Sequence, residues 1–368
     1  MGSTTDTGEV RDLTLDDVSI DTQNTYNVRA GAFIGLSAGG SYTNITATNV
    51  TIQTGGASSP NVGGLVGLVL MDPGRNFTLN QGLAVSAITG TGAGGRCGGL
   101  IGNNEGADAT IVVTDSASYG TVDGYTSLGG IAGRVNGPTL TIDRCVSTMD
   151  LKGKQDGSVC SIGGLIGNSE TAGIRFSLKD SVYGGRISYR DGVEHALGGL
   201  VGSAVVYKDF TGAYTFPSEN DISFIGNGLY KDEQELRDDV YSTVSSSAEN
   251  CYYNSNVNPY PYSIAVLKGR FLYMNAASGG NTLTEKVYDG ELTPLFSGKS
   301  DTYRMTEGRL SLGDGWRQEA GYYPRPAWTH AQTDAAETQR DEVYLNDVSR
   351  FYSLGLYYTN AGRFGDDG

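Results

Sequence analysis

The stretch that decides the fold is SIGGLIGNSE, residues 161–170, whose central pentad GGLIG recurs at a nearly even spacing along the first half of the chain. Six such pentads end in glycines that lie 32, 35, 31, 34 and 35 residues apart. A period of this length predicts a repeated structural unit. The large residues at the pentad centres are Phe33, Leu65, Leu100, Ile131, Leu165 and Leu200. The pentad glycines are Gly31, Gly35, Gly63, Gly64, Gly67, Gly98, Gly99, Gly102, Gly129, Gly130, Gly133, Gly163, Gly164, Gly167, Gly198, Gly199 and Gly202.

Each repeat contains two further strand-like segments after its pentad. The first is rich in threonine and β-branched residues, as in ATIVVTDS and TLTIDRCV, and the second is a short apolar stretch beside a glycine, as in AVSAITG and MDLKG. Glycine, asparagine, aspartate and serine separate the three segments. The sequence therefore predicts a mainly β chain, a parallel β-helix or solenoid of about six three-sided coils of 31–35 residues with a C-terminal α+β cap.

The pentad itself is predicted to be structural. When coils stack, equivalent residues lie ~4.8 Å above one another, so the large residues form one apolar column inside the stack. Glycine at the flanking positions is expected both to permit a positive φ at a corner and to let neighbouring backbones approach closely. A phosphate-binding loop would need a following helix or a Gly-Lys-Ser/Thr sequence, and no pentad has either.

The pentads resemble the GLUG-motif repeats of bacterial surface proteins, which read G-G-L-V-G with a downstream N-x-x-x-x-G. The resemblance covers residues 31–202 and extends more weakly to NCYYN at 250–254 and GYYPRP at 321–326. It implies a β-solenoid segment of an adhesin-like protein, or of the N-terminal region of an immunoglobulin-A-specific metallopeptidase. It also implies an extracellular or cell-surface location in a bacterium. A metallopeptidase would need H-E-x-x-H, and VEHAL at 193–197 departs from that pattern.

The rhythm of the sequence divides the chain into four parts. After Gly202 the pentads stop, and helical spacing of apolar or charged residues predicts helices at 230–244 and 262–277. In the tail, 343–359 alternates weakly like a strand, which predicts pairing within the chain or with another subunit. The predicted parts are an N-terminal partial coil at 1–30, the repeats at 31–202, an aromatic-rich cap or small α+β domain at 203–330, and a tail at 331–368.

Charge and hydropathy exclude several classes of partner. The net charge is −15, yet the repeats are nearly neutral, with 10 basic and 12 acidic residues in 31–202. Nucleic acid is not expected as a partner, because phosphate contacts need clustered lysine and arginine. No apolar run approaches the ~20 residues of a membrane span, so no membrane insertion is expected within this fragment. The first residues lack the apolar core of a signal peptide, so an export signal is expected outside the fragment.

Cysteine and metal-ligand patterns carry no strong signal. The four cysteines, Cys97, Cys145, Cys160 and Cys251, include no C-x-x-C pair and are predicted to be small buried hydrophobes, with a disulfide between adjacent coils as the open alternative. No segment fits a calcium-binding loop. No cofactor is therefore predicted, and structural calcium stays open.

Aromatic residues concentrate after the repeats. Of 23 tyrosines, 17 lie beyond residue 202, as do both tryptophans. Trp316, Tyr322, Tyr323 and Trp328 are the candidate ligand-binding residues, because aromatic faces stack on sugar rings. The alternative is that these rings fill the core of the cap or an interface, since each buries a large area.

Carboxylates offer the main test for catalysis. Asp115, Asp143 and Asp180 follow the second segment of successive repeats, which predicts an acidic ladder with Arg144 and Lys179 beside it. Glycosidases place two carboxylates ~5–9 Å apart, so a glycan-active enzyme is one alternative. Asx residues at corners also cap their own backbone, which is the favoured interpretation. No catalytic residue is predicted, and the sequence favours a non-enzymatic structural or adhesive protein that meets a glycan or protein receptor. A self-assembling fibre subunit is the other alternative.

Overall fold

A computed structural model gives the fold of the part of the chain that it describes. Within that part the chain forms strands, turns and bends, and it contains no helix. The described residues are 3–4, 8–23, 27–56, 58–90, 92, 94–106, 109–124, 126–137, 139–153, 160–169, 176–189, 195–205, 248–249, 251–253, 264–275, 282–289, 310, 312–318 and 324–328.

Three sheets form the sides of the stack. In each repeat the chain enters the pentad on a strand of sheet I and leaves it on a strand of sheet II. It then continues along sheet III. Sheet I contains β4 (Arg29–Gly31), β7 (Asn61–Gly63), β10 (Arg96–Gly98), β14 (Ser127–Gly129), β19 (Cys160–Gly163) and β24 (His195–Gly198). Sheet II contains β1 (Ser3–Thr4), β5 (Ile34–Ser37), β8 (Val66–Met71), β11 (Ile101–Gly106), β15 (Ala132–Asn136), β20 (Ile166–Ser169), β25 (Val201–Val205), β28 (Ile264–Asn275) and β29 (Thr282–Asp289).

Sheet III is the largest, because each coil crosses it with one long strand or with two or three shorter ones. Its strands are β2 (Glu9–Asp16), β3 (Ser19–Gln23), β6 (Gly40–Gly55), β9 (Asn76–Gly90), β12 (Thr110–Thr114), β13 (Ala117–Gly124), β16 (Thr139–Asp143), β17 (Val146–Ser147), β18 (Asp150–Gly153), β21 (Phe176–Lys179), β22 (Val182–Tyr183), β23 (Ile187–Tyr189), β26 (Ala248–Glu249) and β27 (Tyr252–Tyr253). A separate two-stranded hairpin consists of β30 (Trp316–Arg317) and β31 (Arg325–Pro326).

Neighbouring coils pair in parallel, with like residue over like residue. The first pentad glycines form one continuous ladder, in which Gly63 pairs with Gly98, Gly98 with Gly129 and Gly129 with Gly163. The predicted period is therefore the winding pitch of a parallel β-solenoid, which completes about five turns. This confirms the predicted fold class.

The large pentad residues form the predicted apolar column. All six are at most 1% exposed, and they belong to one continuous core cluster. Their backbones are linked as well, because the Leu100 carbonyl accepts from the Leu65 amide at 3.1 Å and from the Val66 amide at 2.9 Å. The same double acceptance recurs at Leu65, Ile131, Leu165 and Leu200. Side-chain burial and backbone hydrogen bonds thus stabilise the same corner.

The pentad glycines are needed for close approach rather than for a positive φ. None of them is among the residues with positive φ. A methyl group on Gly129 would overlap the Ala132 carbonyl oxygen and lie 2.7 Å from the Gly167 amide nitrogen. On Gly164, a second-position glycine, it would overlap the ring of Tyr183. The first glycine is therefore needed for the close approach of backbone atoms. The second, as at Gly164, is needed both for the carbonyl oxygen of the equivalent glycine in the next coil and for a side chain from sheet III of the same coil.

A second column of residues forms a corner in sheet III. Each coil contributes one residue to this column, and every member is a non-glycine residue in the left-handed region, with φ between 44° and 55°. Aspartate and asparagine tolerate this region better than other side chains do. The column consists of Asp12, Asn44, Gln81, Asp115, Arg144 and Asp180.

Replacing Gln81 with asparagine is expected to stabilise the protein by about 0.5–1 kcal/mol, because asparagine adopts the left-handed conformation at lower cost. Urea unfolding followed by circular dichroism measures the change. The control is Gln53→Asn on an exposed residue of β6 that lies outside the positive-φ set. An equal effect at both positions would contradict the conformational explanation.

The stack continues beyond Gly202. In sheet III, β26 pairs with β21 and β27 with β22, while β28 pairs with β25 in sheet II. Part of the predicted cap therefore belongs to the solenoid. The helix predicted at 262–277 is wrong, because this segment forms β28. Short apolar runs fit either structure, and the open edge of β25 provides backbone partners that favour a strand. The helix predicted at 230–244 and the tail strand at 343–359 lie outside the described residues.

Candidate functional site

A C-terminal strap crosses the outside of sheet III. We use this name for the described residues of 310–328, which include the β30–β31 hairpin. Leu310, Leu312, Trp316 and Trp328 of the strap pack against an apolar cluster that is separate from the core. This flank cluster consists of Leu83, Ala117, Tyr119, Val146, Val182 and Tyr252. Five of its members lie in one register column on successive coils, so the strap spans several coils at once.

The structure brings together two of the four predicted aromatic ligand residues. Trp316 and Trp328 are both partly buried on the flank cluster, and the indole N–H of Trp328 donates to the Asp115 carbonyl oxygen. The Trp316 indole nitrogen is buried and has no hydrogen-bond partner among the described residues. Tyr322 and Tyr323 lie outside those residues. Packing against the flank therefore occupies part of each indole, and a ligand role for the exposed remainder stays a prediction.

The strap passes over a charged corner of sheet III. The residues of this corner pair in a different register from that of the predicted acidic ladder. Asp115 stacks on Arg144, and Arg144 stacks on Asp180, while Asp143 is level with Thr114 and Lys179. The prediction that Asp143 is equivalent to Asp115 and Asp180 is wrong by one residue. Arg144 follows its pentad by 11 residues, whereas Asp115 and Asp180 follow theirs by 13, so the connection in that coil is shorter.

Arg144 binds two carboxylates of the corner through a two-sided clamp. Its Nε and Nη2 donate to the two carboxylate oxygens of Asp115 at 2.7 and 2.8 Å, and its Nη1 donates to Asp143 at 2.6 Å. The Asn80 amide also donates to Asp115, at 3.2 Å. Paired N–H donors of this kind match the geometry of a carboxylate and make strong hydrogen bonds. Gly315 of the strap lies beside Arg144 and Asp115.

The surroundings raise the pKa values of both Asp143 and Arg144, for different physical reasons. Burial raises the pKa of Asp143, and the nearby Asp180 and Asp115 raise it further, while Arg144 counteracts them. Hydrogen bonding to Asp115 raises the pKa of the Arg144 guanidinium above its usual value, so this group stays protonated. A permanent cation bound to both carboxylates fits a structural clamp better than an acid–base pair.

Replacing Arg144 with methionine is expected to cost about 1–3 kcal/mol at pH 7, because two partly buried carboxylates lose a charged donor. The ionised form of Asp143, whose pKa burial already raises, would then be disfavoured further in the folded state. The variant therefore loses stability as the pH rises through the raised pKa of Asp143, and its deficit shrinks below about pH 4. Urea unfolding at both pH values measures this, with Arg144→Lys as the control that retains the charge but lacks the paired donors. An equal deficit at both pH values would contradict the clamp.

The remaining candidate groups are the cysteines and the metal-ligating side chains. All four cysteines are buried and free, so the disulfide alternative is not realised. Burial raises the pKa of Cys97 and of Cys160 to about 12. In the described part of the chain, no three metal-ligating side chains group together, and no helix is long and apolar enough to cross a bilayer.

The sequence interpretation missed the flank cluster and the docking of the strap. The available signal was one apolar residue per coil, beginning with Leu83 and Ala117, at outward positions of the third segment.

Comparisons with protein families, with curated proteins and with solved structures find no match to this chain.

Proposed function

We propose that this chain is a structural and adhesive β-solenoid segment of a bacterial cell-surface or secreted protein, and that it presents a binding face to a glycan or protein receptor. The observation that supports the proposal is the in-register stack. Its parallel ladders hold equivalent outward-facing side chains of successive coils at a fixed spacing along the solenoid. The resemblance of the pentads to GLUG-motif repeats supports the same role. The bacterial surface location and the receptor belong to the proposal.

The outer face of sheet III supplies a surface suited to such a role. One of its columns carries a hydroxyl side chain in four of five coils, and all five side chains are exposed or partly exposed. Neighbouring members are ~4.8 Å apart. The column consists of Ser41, Thr78, Val112, Thr141 and Ser177. The partly exposed indoles of Trp316 and Trp328 add aromatic surface on the same sheet.

A glycan array tests where a sugar ligand binds. The wild-type chain is compared with the double variant Trp316→Ala/Trp328→Ala, and with Thr78→Ala/Thr141→Ala as the matched change on the hydroxyl column. Binding that is lost in the tryptophan variant while circular dichroism still reports an intact stack would support recognition by the strap. Binding lost only in the threonine variant would place the ligand on the hydroxyl column. An array with no bound glycan would overturn the glycan proposal and leave a protein receptor to be tested.

The two alternative functions gain no specific support from the described residues. A glycan-active enzyme would need a carboxylic acid and a free carboxylate across a groove, whereas Arg144 binds both Asp115 and Asp143. A self-assembling fibre subunit would depend on the tail at 343–359, which lies outside the described residues. Both alternatives stay predictions.

A further inference from the structure

The first coil of the solenoid has an open edge. β2 and β3 pair with β6 on one side, and no described strand pairs with them on the other side. A strand in a parallel sheet directs its N–H and C=O groups alternately to its two sides. The edge therefore presents a row of backbone donors and acceptors that another strand can use.

The core is also left incomplete at this end. The inward residues of β2 and β3 pack against the core but remain partly exposed, whereas their partners one coil further on are at most 2% exposed. An additional strand would cover this apolar row. The partly exposed residues are Val10, Leu13, Leu15, Val18 and Ile20, and their buried partners are Tyr42, Ile45, Ala47, Val50 and Ile52.

The charge on this edge indicates which kind of strand can bind to it. The other side of the same strands carries mainly acids, and residues 1–30 have a net charge of −4. A second copy of the edge would bring like charges together. The C-terminal part of this chain is acidic as well, because residues 203–368 have a net charge of −9. A basic partner is therefore favoured over a second copy. The exposed acids of the edge are Glu9, Asp12, Asp16, Asp17 and Asp21.

Side-chain hydrogen bonds between coils indicate what an added strand would carry. Asp12 accepts from the Asn44 amide at 2.8 Å, and Asp16 accepts from Thr48 at 2.7 Å and from Asn49 at 2.9 Å. Asp115 similarly accepts from Arg144 of the next coil. Carboxylates on this face thus receive donors from the neighbouring strand. A strand placed on the open side of β2 is expected to bring lysine, arginine or asparagine opposite Asp12 and Asp16.

We propose that the β2–β3 edge binds an extended, basic segment of a partner protein, in which valine, leucine or isoleucine recurs at the spacing of Val10, Leu13, Leu15, Val18 and Ile20, with lysine, arginine or asparagine between them. The segment adds one strand to sheet III, covers the exposed apolar row and pairs with the acids of the edge. Main-chain hydrogen bonds supply affinity in this mode of recognition, and alternate side chains supply specificity. The proposal goes beyond a glycan-binding role and does not depend on the strap.

The probe is a synthetic peptide of about twelve residues, with valine or isoleucine at the spacing of Val10, Leu13, Leu15, Val18 and Ile20 and lysine or asparagine between them. Fluorescence anisotropy measures its binding to the full chain. We expect it to bind at least about tenfold more tightly than a peptide with glutamate in place of lysine, and the preference to weaken with added salt because exposed charges are screened. N-methylation of alternate peptide backbone nitrogens on the pairing side is expected to abolish binding, without any change to the protein.

Two variants locate the site. Asp12→Lys/Asp16→Lys is expected to reverse the preference between the lysine and glutamate peptides, while Asp72→Lys, in the exposed turn after β8, leaves it unchanged. Equal binding of the lysine and glutamate peptides would overturn the proposal, as would full binding of the N-methylated peptide. A protein dimer that the lysine peptide does not dissociate would assign the edge to a second copy, and would overturn it as well.

Discussion

Replacing Gly129 with alanine is expected to lower the free energy of unfolding by more than about 3 kcal/mol. The added methyl would overlap the Ala132 carbonyl oxygen and lie 2.7 Å from the amide nitrogen of Gly167. Both obstacles are backbone atoms. Ala132 belongs to the same pentad as Gly129 and Gly167 to the next coil, so relief requires the pentad to distort and two coils to move apart. Urea unfolding followed by circular dichroism measures the loss.

Gly74→Ala is the matched control for this prediction. Gly74 has no heavy atom within 4 Å of an added methyl, but its φ is +78°. Its substitution is therefore expected to cost only the about 1–2 kcal/mol of a left-handed alanine. If Gly129→Ala cost no more than this control, the close packing of the pentads would not limit stability.

Truncating Leu100 to alanine is expected to cost about 2–5 kcal/mol, through lost burial and the cavity left behind. Leu100 is 0% exposed and lies between Leu65 and Ile131 in the central apolar column. The neighbouring coils are held by their own hydrogen bonds, so they cannot collapse fully into the space. Thermal and urea unfolding both measure the change.

The same substitution at Leu70 provides the control. Leu70 lies on β8 and is 39% exposed, so its truncation is expected to change stability by no more than about 0.5 kcal/mol. A cost at Leu100 as small as that at Leu70 would mean that the pentad column is not the core of the fold.

The fold could be predicted from the sequence because the repeat imposes the same packing problem on every coil. A column such as Leu65–Leu100–Ile131 must share one environment once the period is interpreted as a winding pitch, and the structure confirms this. The reason for the glycines was only partly predictable. The sequence predicted both a positive φ and close approach. The geometry at Gly129 and Gly164 confirms close approach, but the positive φ is wrong, because no pentad glycine is among the positive-φ residues.

The candidate site was less predictable, since it depends on the lengths of the connections and on contacts between distant segments. A shorter connection moved Arg144, rather than Asp143, into the column of Asp115 and Asp180. The contact of Trp328 with Asp115 joins residues 213 positions apart, and no local pattern reports it. A buried polar contact was not predicted either, because it too joins residues that are far apart in the sequence. Asn103 is fully buried and donates to Asn61 at 2.9 Å, although the two residues belong to different sheets and coils.

Pulsed electron-spin distance measurements test the stacking of the coils most directly. Ser177 and Ser41 are exposed members of one column, and Glu9 continues it by one coil. Cysteine substitutions at these positions can be spin-labelled selectively, because the four native thiols are buried. Four strand spacings predict about 19 Å between the backbones at 177 and 41, and five predict about 24 Å between those at 177 and 9. A second distance longer than the first by one strand spacing is the predicted result, and two equal distances or a reversed order would contradict the solenoid.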